Sequence, residues 1–374
     1  MRKPSVGILS MQRVINYGSF LQAYALKQLL KQNGAGAVYF IDIIPGRILV
    51  ENSDANKNKW IRYAKKLIGL AGSSRFISRI KTFLYNRKLT KTIETSWPML
   101  DLQSKPKEAL DLIVIGSDEV FNCCQGVSWG YTTQLFGDMP KNVAKDIISY
   151  AGSFGYTDYK MLKSYNIDSE VATHLNKLKS ISVRDENSAS IVERLTGKIP
   201  FIHVDPVLAY GYENEIAGFK EAPFPVPYMV VYSYQGRIND KQEVEAIRKY
   251  AKDNDLKLVS VFCRYDWCDM YALPDTPIEV LRWFKYADCI VTDTFHGTIF
   301  SIITESRFVS LLRPSNKNKL GFLLKQLGLS DRASGASDMQ VKLSQKPDYK
   351  DCNSILALKR AETNGYLERS LKDI

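Results

Sequence analysis

Histidine is scarce in this chain, and two kinds of hydrophobic segment are missing. Only three histidines occur among 374 residues. No apolar run approaches the ~20 residues of a membrane-spanning helix. The N-terminal run Met1-Arg2-Lys3-Pro4-Ser5 leads directly into a strand pattern and lacks the layout of a signal peptide. These absences predict a cytoplasmic protein without a membrane span.

Disulfide and zinc frameworks are missing as well. The six cysteines stand at positions 123, 124, 263, 268, 289 and 352, with no Cys-x-x-Cys pair and no Cys/His ligand spacing. Adjacent cysteines are not expected to bridge to each other, so we expect reduced thiols and no metal site. The composition, 45% hydrophobic and 24% charged, is typical of a soluble globular protein, and the length predicts two domains.

Acidic residues are absent from one long segment, Ala55 to Ile93. That segment contains eleven Lys or Arg, at positions 57, 59, 62, 65, 66, 75, 79, 81, 87, 88 and 91. Of the chain's 51 Lys and Arg these eleven leave 40, which equals the 40 Asp and Glu. The segment therefore holds the entire formal net charge of +11.

The same basic segment carries two apolar stripes at helical spacing, with a break near Gly72-Ser73-Ser74. The first stripe consists of Trp60, Ile61, Ala64, Leu67, Ile68 and Ala71, and the second of Phe76, Ile77, Ile80, Phe83 and Leu84. Such helices suit docking on an anionic membrane surface or on a lipid-linked acceptor. The alternative is that the stripes pack on the domain and the charges are only solvated. Nucleic acid is disfavoured, because the aromatics lie in the apolar stripe and no recognition motif accompanies them.

Strand and helix patterns alternate along the rest of the chain. Strands are predicted at 6–10, 38–43, 111–115, 147–151, 181–184, 201–204, 228–232, 258–262, 289–292 and 308–312. Helices are predicted at 18–31, 168–179, 187–196, 240–253, 277–286, 297–305 and 318–327. This alternation is typical of parallel sheets with crossover helices, and a Pro- and Gly-rich stretch, 205–227, separates two series. We therefore predict an α/β fold with two doubly wound parallel-sheet domains, 1–205 and 206–350, facing across a cleft. A C-terminal helix, 351–374, is expected to cross back over the first domain.

The run from Thr292 to Thr298 places a histidine at a strand end. An apolar strand precedes the run, and Ile299, Phe300, Ile302 and Ile303 follow it at helical spacing. This arrangement puts the imidazole of His296 at the carboxyl edge of a parallel sheet. The free N–H groups of Gly297 and Thr298 could hold an anion there. A histidine can also merely cap or pack such a turn, but this position favours catalysis.

Strand ends of the first predicted domain carry polar residues at the corresponding edge. Asn16-Tyr17-Gly18 lies between the first strand and its helix, where Asn16 can cap the helix or contact a ligand and Gly18 permits close backbone approach. Gly116-Ser117-Asp118 leaves the third strand, and Asp118 is a candidate base or a turn-forming residue. Arg184 leaves a further strand, where an anion is the expected partner.

These runs, in this order, resemble the polysaccharide pyruvyl transferase family. The resemblance spans roughly residues 5–330 and also includes Leu21-Gln22-Ala23-Tyr24-Ala25-Leu26, Phe121-Asn122, Ser182 to Ser188 and Asp205-Pro206. It implies two Rossmann-like domains similar to those of GT-B glycosyltransferases. The implied reaction transfers a pyruvyl group from phosphoenolpyruvate to two hydroxyls of a sugar in a cell-surface glycan, giving a cyclic ketal.

The resemblance also implies roles for individual residues. His296 matches the catalytic histidine of the family, and Arg184 matches an arginine implicated in donor binding. Several members carry Arg two positions before that histidine, where this chain has Thr294. Possible substitutes for the missing donor contact are Arg313, Lys317 and Lys319.

The implied chemistry suits these residue types. His296 would protonate C3 of the enol ether while positive charge develops at C2. Asp118 would accept the hydroxyl protons of the sugar. Arg184, the Arg313 region and the N–H groups after Gly297 would bind the phosphate and carboxylate of the donor. Phosphoenolpyruvate is a co-substrate in this scheme, which needs no cofactor and no metal.

Two other functions remain open from the sequence. A GT-B nucleotide-sugar glycosyltransferase would use the same cleft and would need a carboxylate for the ribose in the second domain, for which Asp293 and Glu305 are the candidates. A non-catalytic peripheral membrane protein is supported only by residues 55–93.

Overall fold

A computed structural model of the chain describes residues 2–50, 73–126, 129–140, 143–314 and 316–373. The first predicted basic helix, with the stripe from Trp60 to Ala71, lies outside the described residues. Within the described part of the chain, no helix combines the length and the apolar character needed to cross a bilayer.

The first sheet is parallel and is ordered β2-β1-β3-β4. Its strands are β1 (Ser5–Leu9), β2 (Ala37–Ile41), β3 (Leu110–Ile115) and β4 (Ala144–Ser149). Parallel bridges from β4 and the residues after it lead to β5 (Ser182–Val183), which pairs with β6 (Phe201–Ile202). The central strands are almost continuously apolar because helices cover both faces of the sheet.

Helices and loops connect these strands in the crossover pattern that the sequence predicts. The helices are α1 (Tyr17–Gln32), α2 (Ser73–Leu100), α3 (Tyr159–Ser164), α4 (Asp168–Leu175), α5 (Glu186–Thr196), α6 (Pro206–Tyr210) and α7 (Glu213–Gly218). The last two fall within the stretch 205–227, which the sequence analysis treats as a break. Asp205 caps α6 by accepting from the Val207 N–H at 3.0 Å. Although the predicted boundary assigns α6 to the second domain, α6 packs on α1 of the first.

The second sheet has six parallel strands, ordered β12-β11-β10-β7-β8-β9. Its strands are β7 (Tyr228–Tyr232), β8 (Lys257–Val261), β9 (Met270–Ala272), β10 (Cys289–Thr292), β11 (Phe308–Leu311) and β12 (Ala333–Ser334). Its helices are α8 (Lys241–Asp253), α9 (Val280–Lys285), α10 (Phe295–Ile303), α11 (Lys317–Gln326) and α12 (Met339–Ser344). Three strands lie on each side of the boundary between β7 and β10, which is the strand order of a dinucleotide-binding Rossmann fold. The predicted fold class, α/β with two Rossmann-like parallel-sheet domains, is confirmed.

The C-terminal helix, α13 (Lys350–Lys372), returns to the first domain as expected. The Tyr366 hydroxyl donates to the Ser149 carbonyl at 2.8 Å, and Thr363 lies 3.3 Å from the Tyr150 hydroxyl. Because Tyr366 and Thr363 are buried, this contact is part of the core.

Helix α2 contacts both domains, and its orientation shows which of its described side chains meet the rest of the protein. The side chains that face the protein are Tyr85, Leu89 and Ile93. The predicted stripe points away from it, since Ile77, Ile80, Phe83 and Leu84 are 43–65% exposed. The alternative in which this second stripe packs on the domain is therefore wrong. The Tyr85 hydroxyl donates to the Ala272 carbonyl of the second domain at 3.1 Å.

Candidate active site

The polar residues singled out by the sequence lie where each sheet reverses its strand order. In the first sheet this point is between β1 and β3, and in the second it is between β7 and β10. Ligands of open α/β sheets bind in the crevice that such a reversal leaves beyond the carboxyl ends of the strands. Because the two crevices face each other, residues that are distant in sequence meet in one cavity.

The cavity has a volume of about 210 Å³ and is lined by both domains. Charged and histidine side chains on its wall are Asp118, Glu119, Arg184, Arg237, Asp293, His296 and Lys319. Other lining residues are Met11, Val14, Asn16, Ser19, Gln125, Trp129, Tyr232, Tyr234, Phe262, Thr294, Phe295 and Asn316. The wall is thus polar and charged at the switch points, with aromatic rings around it.

His296 lies in the first turn of α10. Thr294 caps this helix, because its Oγ1 accepts from the Gly297 N–H at 2.9 Å. The Thr298 N–H donates to the Thr294 carbonyl at 3.1 Å. The expectation that Gly297 and Thr298 offer free N–H groups to an anion is therefore wrong. The Thr298 hydroxyl bonds to Ser310, 2.7 Å away, which lies at the end of β11.

The imidazole of His296 is almost buried, with only 8% of the residue exposed. Its Nε2 is buried, has no hydrogen-bond partner among the described residues, and lies 3.8 Å from Oδ2 of Asp205. Burial lowers the pKa of His296 below its usual value, and the carboxylates of Asp205 and Asp118 oppose this shift without cancelling it. The ring is therefore predominantly neutral at neutral pH in the free protein.

Gly18 makes room for this ring from the other domain. A Cβ at position 18 would lie 2.2 Å from both Cγ and Nδ1 of His296. No side chain can occupy that space while the ring stays where it is. Gly18 therefore allows α1 of the first domain and α10 of the second to pack closely. This agrees with the prediction that Gly18 permits a close approach of the backbone.

Arg184 joins two carboxylates beneath the cavity. Its Nη1 donates to Oδ2 of Asp205 at 3.0 Å, and its Nη2 donates to Oδ1 of Asp118 at 3.3 Å. The side chain is only 2% exposed and lies under the ring of Phe295, 4.4 Å from its centroid. Arg184 is thus in the cavity wall as predicted, but both terminal nitrogens already bind protein carboxylates. Their charges hold Arg184 protonated in spite of burial.

Asp118 is anchored on both oxygens. Oδ2 accepts from the Ser19 hydroxyl at 3.1 Å, and Oδ1 accepts from Arg184. Burial alone would raise the pKa of Asp118, but the positive charges of Arg184 and Lys319, the titratable His296 ring and the Ser19 hydrogen bond outweigh burial and lower this pKa. The carboxylate is therefore ionised at neutral pH.

The remaining predicted residues of the first domain shape the loops around Asp118. Gly116 has a positive φ of 131°, and a Cβ there would lie 2.1 Å from the Tyr150 carbonyl oxygen. Ser117 is fully buried and donates to the Ala151 carbonyl at 3.2 Å. Tyr17 is fully buried and does not line the cavity. These three residues build the site without facing its interior.

Among the described residues that line the cavity, two hydrogen-bonded pairs join one domain to the other. Asn16, which caps α1, donates from Nδ2 to the Tyr234 hydroxyl at 3.1 Å. Lys319 Nζ lies 2.6 Å from Oε1 of Glu119. Both pairs join cavity residues of the first domain to cavity residues of the second, so the structure is in a closed arrangement.

Of the three cations expected to replace the missing family arginine, one reaches the cavity. Lys319 lines it, whereas Lys317 and Arg313 do not. Arg313 pairs bidentately with Glu243, at 2.7 and 2.8 Å, and donates from Nε to Asp293 at 3.2 Å. The ion pairs hold Arg313 behind the cavity wall, and Lys317 is not among the residues that line the cavity.

The sequence analysis assigned no role to several charged or polar residues of the site, among them Asp205, Glu119, Tyr234 and Arg237. Tyr234 and Arg237 follow β7, which lies next to β10 in the sheet. The rule that ligands bind beyond the carboxyl ends of these strands, which located His296, would have located them as well. Asp205 has no such local signal, because it reaches His296 only through the fold.

Comparisons with known proteins agree with this architecture. A sequence model described as "Polysaccharide pyruvyl transferase" matches residues 16–315. The solved UDP-GlcNAc 2-epimerase from Neisseria meningitidis, bound to UDP-GlcNAc, aligns with a TM-score of 0.51 and 7% identity, covering 99% of this chain and 100% of that one. The UDP-GlcNAc 2-epimerase from Methanocaldococcus jannaschii aligns with a TM-score of 0.45 and 10% identity, covering 95% and 98%. No curated protein matches the sequence. At 7% identity, the likeness to the Neisseria meningitidis epimerase supports the fold alone.

Proposed function

The chain belongs to the polysaccharide pyruvyl transferase family, and we propose that it moves a pyruvyl group from phosphoenolpyruvate to two hydroxyls of one sugar. The acceptor would be a cell-surface polysaccharide or its lipid-linked precursor, and the product a cyclic ketal. The observation that carries this proposal is the placement of His296. It faces a cavity between two domains, with Asp205 behind its ring and Asp118 on the same wall.

The first step would be protonation of the donor. His296, once protonated, transfers its proton to C3 of phosphoenolpyruvate, which converts the C2–C3 double bond to a methyl group and leaves positive charge at C2. The nearby carboxylate of Asp205 supports this role, because it stabilises the imidazolium form of a ring that burial would otherwise keep neutral.

The second step would be attack of a sugar hydroxyl on C2. As the new C–O bond forms, the hydroxyl proton becomes strongly acidic, so a carboxylate with a lowered pKa is a sufficient base. Asp118 fits this requirement, since it is ionised and faces the cavity. The bond between C2 and the phosphate oxygen then breaks, and phosphate leaves with that oxygen and the electron pair. A second hydroxyl attacks C2, and its proton passes to the now neutral His296, which closes the ketal ring and restores the acid. The proton held by Asp118 is released with the phosphate or to solvent.

The glycosyltransferase alternative is not favoured by the site. Its two candidate carboxylates for a ribose are both engaged: Asp293 is fully buried and accepts from Ser233 at 2.7 Å and from Arg313. Glu305 accepts from Asn353 of α13 at 2.7 Å and does not line the cavity. The cavity of about 210 Å³ is also below the ~300–1,000 Å³ of typical drug-sized ligand sites, so it suits a three-carbon donor better than a nucleotide sugar.

The exposed face of α2 supports a lipid-linked acceptor. Its first turns present Ile77, Ile80, Phe83 and Leu84 to solvent, with Arg79 and Lys81 among them. Apolar side chains flanked by cations are the surface that binds anionic lipid headgroups. An enzyme held in this way at the inner face of the membrane would meet glycan precursors attached to lipid.

Phosphate release tests the proposal. Purified protein is incubated with phosphoenolpyruvate and a panel of methyl hexopyranosides, each of which offers several pairs of hydroxyls. We expect release of phosphate that depends on a sugar of the panel and is lost in His296→Ala. Release of a nucleoside diphosphate from a nucleotide sugar, with none of phosphate from phosphoenolpyruvate, would favour the glycosyltransferase instead.

A further inference from the structure

The cations on the cavity wall differ in how many of their hydrogen-bond donors are already used. Arg184 has both terminal nitrogens bound to carboxylates and is almost fully buried. Lys319 places Nζ 2.6 Å from Glu119, on the opposite side of the cleft. Arg184 keeps an Nε without a partner among the described residues, but that atom is buried, and Lys319 has a single nitrogen. Neither side chain therefore presents an open two-nitrogen fork to an anion in the cavity.

Arg237 is the exception. Its side chain is 30% exposed and pairs through Nε alone, 3.3 Å from Oδ2 of Asp293. Among the residues that the structure describes, its two terminal amino groups have no hydrogen-bond partner. A guanidinium held at Nε keeps the far end of its fork, with parallel N–H donors on Nη1 and Nη2, open to a ligand.

The backbone and an aromatic ring hold this arginine in position. Gly236 adopts a φ of 77°, which a turn requires here, and the Arg237 N–H donates to the Tyr234 carbonyl at 3.2 Å. The guanidinium carbon lies 5.4 Å from the centroid of the Tyr234 ring, a cation–π contact. The Tyr234 hydroxyl is in turn bound by Asn16 of the first domain.

Asp293 is a fixed partner for Arg237. It is fully buried, and its Oδ1 accepts from the Ser233 hydroxyl at 2.7 Å. Arg313 shares Oδ2 but is itself neutralised by Glu243. Asp293 therefore orients Arg237 without the pair adding net charge, and removal of Arg237 would leave Asp293 still paired with Arg313.

We propose that Arg237 binds an oxyanion of the donor through its two terminal amino groups. The inference rests on the proposed function and names the residue that supplies the missing donor contact. Arg237 and Thr294, where several family members carry arginine, line the same cavity, and the partner of Arg237 is Asp293, the residue before Thr294.

Calorimetric binding of phosphoenolpyruvate to the wild-type protein and to three variants tests this role. Arg237→Ala should weaken binding by about 10- to 100-fold, the usual effect of losing charge-assisted hydrogen bonds. Arg237→Lys should recover only part of the affinity, because an ammonium lacks the planar fork. Arg248→Ala, which removes an exposed arginine of α8 outside the cavity, should bind like the wild type.

Two further probes identify the oxyanion that Arg237 contacts. If Arg237 binds the phosphate, Arg237→Ala should lose affinity for methyl phosphate and not for pyruvate. If it binds the carboxylate, the order is reversed. A merely structural role would weaken both probes together and lower the melting temperature, and that pattern would overturn the inference.

The outcomes separate this inference from the proposed function. Equal affinity of wild type and Arg237→Ala for phosphoenolpyruvate would overturn the inference while the proposed function stands. If the wild-type protein does not bind phosphoenolpyruvate but binds inorganic phosphate in an Arg237-dependent way, phosphoenolpyruvate is not the donor. That result would still support an anion contact by Arg237. A wild-type protein that binds neither would contradict both.

Discussion

Gly18 and His296 lie in different domains and pack directly against each other. The two residues leave no room for a Cβ at position 18. A side chain at position 18 would overlap Cγ and Nδ1 of the imidazole at 2.2 Å. Since α1 carries Gly18 and α10 carries His296, the position of the imidazole depends on how closely the two domains approach. The candidate site is therefore formed by the closed cleft and not by either domain alone.

Gly18→Ala should inactivate the protein by displacing His296. We expect the phosphate-release rate to fall at least about 100-fold, the lower range for loss of a general acid. The melting temperature should also fall, because overpacking a core contact costs ~1–3 kcal/mol. Gly321→Ala is the matched control: a Cβ there meets nothing within 4 Å, so both quantities should stay near wild type.

A double substitution shows whether the ring is the cause. In a His296→Gly background the obstructing atoms are gone, so adding Gly18→Ala should cost much less stability than it does in the wild type. Full additivity of the two unfolding free energies would mean that Gly18 and His296 do not interact. Urea unfolding of the four proteins gives the coupling.

Arg184→Ala should lower the free energy of unfolding strongly. Removing this cation leaves Asp118 and Asp205 buried and unpaired, and breaking a buried ion pair in that way costs about 3–5 kcal/mol. Arg184→Lys should restore part of this, since it keeps the charge but cannot reach both carboxylates with a planar fork. An unfolding free energy within ~0.5 kcal/mol of wild type for Arg184→Ala would rule out this account.

Donor binding should take up a proton. Burial lowers the pKa of His296 in the free protein, so above that pKa the ring is neutral. A bound anion favours the imidazolium and raises the pKa, and the complex should gain up to one proton at pH 7.5. Binding enthalpies of phosphoenolpyruvate measured in buffers of different ionisation enthalpy report this uptake. In His296→Gln the binding enthalpy should no longer depend on the buffer. If the dependence persists in this variant, a group other than His296 takes up the proton.

Stability should fall on acidification through a second buried histidine. Burial lowers the pKa of His203 from 6.5 to about 4, while its Nδ1 lies 2.7 Å from the Ser182 hydroxyl. Below pH 6.5 the unfolded chain binds a proton that the folded chain refuses, so the unfolding free energy decreases as pH falls towards 4. At ~1.4 kcal/mol per pH unit the loss is about 3 kcal/mol. His203→Asn should flatten urea-unfolding stability against pH by that amount, and an unchanged slope would contradict the assignment.

The exposed face of α2 should retain the protein on anionic vesicles. Changing Ile80, Phe83 and Leu84 together to Ser should weaken retention, and adding salt should weaken it further. Lys57, Lys59, Lys65 and Lys66 lie outside the described residues, and their change to Gln should also reduce binding without abolishing turnover of a soluble sugar. Leu358→Ser, an exposed leucine of α13, is the control. Failure of the wild type to sediment with vesicles at low salt would exclude this surface.

Local patterns were sufficient for ten of the twelve strands and for several residues at their ends, but they did not predict the short edge strands β9 and β12. The apolar run at 289–292 predicts β10 with its observed bounds, and parallel strands bring His296 and Asp118 to neighbouring edges. A local signal was also available for Gly297: threonine before a helix is a common cap, so Thr294 could have been assigned to the Gly297 N–H.

Pairings between distant residues could not be predicted in this way. Arg184 and Asp118 are 66 positions apart, and Arg313 and Glu243 are 70 apart. A sequence indicates that a cation stands near a strand end, but only the fold decides whether a ligand or a protein carboxylate is its partner. The exposure of Ile80 and Phe83 in α2 could not be predicted either. Helical periodicity defines an apolar face, but it does not show whether that face packs on the protein or is exposed to solvent.

The central claim is that His296 delivers a proton to C3 of phosphoenolpyruvate during transfer to a sugar. The most direct measurement uses a methyl hexopyranoside that the phosphate-release experiment identifies as an acceptor. The reaction is run in deuterium oxide, and the product is analysed by mass spectrometry. We predict a ketal whose methyl group carries one solvent deuterium, formed with one phosphate per ketal, and neither signal in His296→Ala. A ketal methyl without deuterium, or undiminished turnover in His296→Ala, would contradict the account.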